Sequence, residues 1–62
     1  MCMSTAYEVR ENENILLCEN VRSARISGDE ITLVDILGYT VTVKGVIKNV
    51  DLIKNIMLIE AV

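Results

Sequence analysis

Apolar and polar positions along this chain change places every one or two residues. Polar or glycine-bearing clusters interrupt the pattern at intervals of roughly eight to twelve residues, the spacing of a small all-β domain. In STAYEVR, Ser4 to Arg10, Ala6 and Glu8 fall on one side and Tyr7 and Val9 on the other. The polar run Glu11 to Asn14 ends that strand, and ILLC, Ile15 to Cys18, reads as its hairpin return. VRSARIS and EITLVD flank Gly28 and Asp29, a short link whose glycine supplies the positive φ a hairpin turn needs. Ile36 to Gly38 makes the next turn. In YTVTVKG, Tyr39, Val41 and Val43 are expected to face one way and Thr40, Thr42 and Lys44 the other, the clearest half-buried strand in the chain. No helical period is sustained.

The last stretch, VDLIKNIMLIEAV, departs from this alternation. Lys54-Asn55 reads as the turn of a final hairpin, but Val50, Leu52, Ile53, Ile56, Met57, Leu58 and Ile59 put apolar groups on both faces. One face lines an interior. The other needs a second cover, because exposed aliphatic surface costs about 25 cal/mol per Å² and invites association. A homodimer is the expected solution. The elements together predict one all-β domain over residues 1–62, a small and strongly bent SH3-like barrel of about six or seven short antiparallel strands. A Greek-key barrel or small sandwich is the rival arrangement.

Composition sharpens this picture. Eight Ile and eight Val, with two Tyr as the only aromatics, make an aliphatic, β-branched core and favour strands. A chain of 62 residues hides only about 60% of the surface of its unfolded form, so it calls for a staple or a partner. The two cysteines are a poor staple, since a Cys2–Cys18 bridge would tie a free end to the body. With no leader-like segment and no membrane-length apolar run, the expectation is a reduced, cytoplasmic protein. Six basic residues against nine acidic ones give a net charge of −3, the wrong sign for a generic phosphate binder.

The chemistry on offer is narrow. There is no histidine, which removes the commonest general base and the commonest metal ligand together. Ser4, Ser23 and Ser27 have no evident activating partner, and no enzyme activity is expected. Glu11, Glu13, Glu19, Asp29, Glu30 and Asp51 read as solvated charges, Met3 and Met57 as packing residues, and Cys18 as a buried, inert thiol.

Cys2 is different, because a core does not need a thiol at a chain terminus. With Met1 retained, its amine, the deprotonated amide nitrogen of Cys2 and the Cys2 thiolate form fused chelate rings around one metal. With Met1 removed, the Cys2 amine and thiolate chelate and the Met3 amide nitrogen can join. Nitrogen and thiolate donors in a nearly planar arc suit nickel(II) or copper(II), and bind zinc with less geometric preference. One chain supplies too few donors, so a second Cys2 across a two-fold axis would close the site with a single metal per dimer.

The opening MCMSTAYEV, the hairpin ISGDEITLVDILG and the closing GVIKNVDLIKNIMLIE together resemble the small CooT-like nickel-binding proteins. The likeness runs over nearly the whole chain, and its one sharp motif is the N-terminal Met-Cys. The resemblance implies a homodimeric SH3-like barrel holding one nickel(II) through the second-position cysteine of each subunit, here Cys2. It also implies nickel delivery to carbon monoxide dehydrogenase, or maturation of that or another nickel enzyme. It assigns no role to Cys18. Members are also labelled RNA-binding, and that alternative would use Arg22, Arg25, Lys44, Lys48 and Lys54 for phosphates with Tyr7 or Tyr39 as a stacking platform. A third reading is a structural subunit whose apolar hairpin docks a larger enzyme.

Overall fold

The computed structural model describes residues 3–62. Five strands follow one another: β1 (Ser4–Arg10), β2 (Glu13–Ser27), β3 (Glu30–Asp35), β4 (Thr40–Asp51) and β5 (Ile56–Ala61). Each pairs with the next, and β5 closes back on β1 to make a barrel. The expected all-β barrel is there, but with five strands in place of six or seven. It is also not antiparallel throughout, since β1 and β5 run parallel from Thr5–Ile56 to Val9–Glu60. A closed meander with an odd number of strands returns to its start in the direction it set out. One seam must then be parallel, and the intervening strands provide the long connection such a pair requires.

The strand count fell because two stretches that read as interrupted are continuous. ILLC and VRSARIS belong to one 15-residue β2, which turns sharply instead of stopping. Asn20 takes a left-handed conformation (φ 54°) in mid-strand, a region asparagine tolerates better than most residues. Ser4 faces Val21 while Ala6 faces Cys18, and Tyr7 then faces Leu16, so β2 gains a residue on β1 at each step. Another extra residue sits between Val21 and Ser23, where β2 pairs with β3. Such bulges bend and twist a strand without ending it, so the first half of β2 covers β1 and the second half covers β3.

β4 divides its pairing in the same way. Thr40–Lys44 lie against β3, and Gly45–Asp51 lie against β5. The changeover falls at Gly45, which is buried. A Cβ there would lie 2.5 Å from the Glu60 carbonyl oxygen and 3.0 Å from Ile59 Cγ2. The Gly45 amide also donates to the Asp29 carbonyl at 2.7 Å, bracing the β2–β3 turn against the same corner. Glycine at this position is what lets two backbones approach as the strand turns.

Alternation along the strands sets which residues form the core. Ala6, Cys18, Val21, Ile31, Leu33 and Ile59 are buried, with Leu17, Val41, Val43, Ile47 and Met57 packed against them. Tyr39 departs from its expected place beside Val41 and Val43. It lies before β4 in the loop and is 71% exposed, because Asp35 gathers the loop ahead of the strand. The Gly45→Ala variant should lose about 1–3 kcal/mol of stability, the usual cost of forcing a carbon into a filled site. A urea midpoint equal to that of the parent protein would show that the corner has room.

Candidate functional site

Met1 and Cys2, the residues of the candidate metal site, lie outside the described residues, and β1 is the element that follows them. Met3 is half-buried, and β1 begins at Ser4. On one flank the Thr5 amide donates to the Asn55 carbonyl at 2.9 Å, and Thr5 pairs with Ile56, which in turn pairs with Asp51. On the other flank Ser4 pairs with Val21, and Val21 with Asp35. The start of β1 therefore lies beside the β4–β5 turn and two strands away, about 10 Å, from the β3–β4 loop.

Those two connections are built alike. VDILG and VDLIK each place an aspartate at the end of a strand and two aliphatic residues after it. Asp35 Oδ1 accepts from the Leu37 and Tyr39 amides, both at 2.9 Å. Asp51 Oδ1 accepts from the Ile53 amide at 3.0 Å and the Lys54 amide at 2.9 Å. Asp51 was expected to be a plain solvated charge. It is instead the cap of a turn, an arrangement in which a short acidic side chain satisfies local backbone donors. Asp35 was not singled out from the sequence; the repeated Val-Asp-aliphatic-aliphatic pattern was the available signal for both.

With their backbones held this way, the tips turn aliphatic groups to solvent. Leu52 is 79% exposed and Ile53 93%, while Leu37 reaches 79% on the other loop. The expected two-sided apolarity of the last hairpin is also visible within β5. Ile59 is fully buried, whereas Ile56 and Leu58 are only half-covered beside Thr5 and Tyr7 of β1.

Cys18 sits where a core thiol was expected, opposite Ala6 and buried. Its Sγ donates to the Glu19 carbonyl at 3.5 Å. Burial raises its pKa above the usual 9.0, and the negative charges of Asp35 and Glu19 raise it further. The thiol is thereby held protonated and is a poor metal ligand. Glu11, Glu13, Glu19, Asp29 and Glu30 are exposed, and among the described residues no three metal-ligating side chains converge. The five cations weighed for RNA are scattered over β2, β4 and the β4–β5 turn, and Lys48 lies 3.7 Å from Glu60. Tyr7 is half-buried in β1 and Tyr39 exposed in the β3–β4 loop, so the structure does not bring the two together.

Fold and sequence together describe a small all-β barrel protein with a cysteine, Cys2, just ahead of its first strand. The family model described as CO dehydrogenase accessory protein CooT matches residues 1–60, and the chain belongs to that family. Membership implies an accessory role toward carbon monoxide dehydrogenase. In fold, the chain is similar to the crystal structure of a protein described as a CooT from Carboxydothermus hydrogenoformans. The two superpose with a TM-score of 0.92 at 24% identity, over 98% of each chain. No curated protein matches the chain.

Because the folded state raises the Cys18 pKa, it favours the neutral thiol. The resulting stability is present below the unfolded value and is lost as pH rises through the folded one. Unfolding free energy should therefore decline above about pH 9, and the Cys18→Val variant should show a weaker decline. Identical alkaline profiles for the two proteins, measured by urea titration, would assign that decline to other groups.

Proposed function

We propose that this CooT-family protein is a nickel(II) carrier acting in the maturation of carbon monoxide dehydrogenase. In this reading it works as a homodimer of SH3-like barrels, with one metal held between the two Cys2 thiolates and completed by backbone nitrogens of Met1, Cys2 or Met3. The observation that carries the proposal is the contrast between the two thiols. Cys18 is sealed into the core with its proton retained. Cys2 precedes β1 and falls within the region matched by the family model.

Three further points support it. The enzyme named in the family description is a nickel enzyme, so nickel is the cargo that fits the client. Thiolate and deprotonated amide donors favour the planar coordination of nickel(II), while backbone nitrogens supply donors that a chain without histidine lacks. The aliphatic tips at Ile36–Leu37 and Leu52–Ile53, with the half-covered Ile56 and Leu58, are surface that a second copy would shield.

The dimer matters chemically as well as sterically. A lone terminus presents one sulfur and a short arc of nitrogens, whereas two related termini can surround the ion and exclude water. A carrier must also release its metal, and a site made of chain termini can be opened by a client without unfolding a core.

Titration of nickel(II) into the reduced protein should produce thiolate-to-metal charge-transfer absorption that saturates at about one metal per two chains, as a shared two-fold site requires. Cys2→Ser should abolish the band and leave the far-UV circular dichroism unchanged, and Cys18→Ser should keep the band. Tight nickel binding retained by Cys2→Ser would overturn the proposal.

A further inference from the structure

The nickel reading leaves open what holds a metal-bearing terminus in place. Thr5 stands three residues beyond Cys2, and among the described residues its amide makes the first hydrogen bond that fixes β1 to a neighbouring element outside the strand ladder, the 2.9 Å contact with the Asn55 carbonyl. Asn55 presents that carbonyl from a left-handed conformation (φ 57°). The shape of the turn is set in turn by Asp51, whose single carboxylate oxygen accepts from both the Ile53 and Lys54 amides. Asp51 also pairs with Ile56, the residue opposite Thr5. An unbroken line of contacts thus runs from the Asp51 carboxylate through the turn to the start of β1.

The other flank of β1 offers no comparable register. Pairing with β2 is irregular on both sides of Ala6, where β2 inserts its extra residues. Pairing with β5 advances residue for residue from Thr5–Ile56 onward. Resting on the proposed nickel site, we infer that the Asp51–Asn55 turn is the device that positions the metal-binding terminus, with Asp51 and Asn55 as positioning residues that do not touch the ion. If the turn loosens, the first residues of β1 are no longer held in advance. The cost of ordering them then falls on metal binding.

The test measures nickel(II) affinity of the whole reduced protein by competition with a chromogenic chelator, beside hydrogen exchange at the Thr5 amide. Asp51→Ala removes both acceptor contacts; Asp51→Asn keeps an oxygen in place. Gly45→Ala strains the β4 corner, away from the aliphatic tips and from the start of β1, and serves as the control for a general loss of stability. Asp51→Ala should weaken nickel binding about tenfold or more, the scale seen when groups supporting metal ligands are lost, and should speed exchange at Thr5. Asp51→Asn should restore both, and Gly45→Ala should leave nickel affinity within about twofold, well below that scale.

Should Asp51→Ala fail to fold, Asn55→Val carries the same test by straining the left-handed residue, with Asn55→Gly as its rescue. Equal losses in the Asp51 and Gly45 variants, or no loss in either, would overturn the role of the turn while leaving a Cys2-dependent site standing. Nickel binding that does not depend on Cys2 would overturn the site itself, and the positioning role with it.

Discussion

The parallel seam between β1 and β5 is the constraint on which the rest of this small barrel depends. It joins the two ends of the meander and buries Ile59 beside Ala6 and its neighbours. It also turns an open sheet with two unpaired edges into a closed one, the arrangement that removes edge strands altogether. A chain of this size has little core to spare. Closure lets the inward residues of every strand share a single centre, and the long bent strands β2 and β4 make it possible by each pairing with two neighbours.

Closure also decides where chemistry can occur. The interior is packed with aliphatic side chains, and Cys18 among them is kept neutral. A thiol in that core is thereby kept from metal chemistry, and the other thiol of the sequence, Cys2, precedes β1. The seam begins next to that terminus, so the contacts that close the barrel also hold the start of the segment proposed to bear the metal. With nickel bound as proposed, stability and function would meet at Thr5, Asn55 and Asp51.

The two capped connections show how a polar residue can organise an apolar surface. Asp35 and Asp51 each take up two backbone amides, which frees the following aliphatic residues from pairing and turns them outward. Read one at a time, Leu37 or Ile53 is an unremarkable exposed side chain. Read as matched tips on the two connections nearest the start of β1, they are surface consistent with a partner that shields the proposed site.

Local residue chemistry determined a good deal of this protein by itself. The alternation in STAYEVR marked β1, and Gly28-Asp29 and Lys54-Asn55 marked turns, because these features act within a few residues. The buried state of Cys18 was legible from the apolar run before it, and Met-Cys at the start, with the strand pattern, was enough to suggest the family. Strand number and closure were not legible in this way. The polar Glu19-Asn20 pair looks like a break, and only bulged pairing with β1 and β3 makes it a bend. Gly45 looks like a strand end, and only the approach of Glu60 makes it a corner. Asp51 looks like a solvated charge until its turn forms around it. Turn chemistry and alternation are short-range and can be read along the chain, whereas bending, closure and the parallel seam arise from contacts between residues far apart in sequence, and only the tertiary structure decides those.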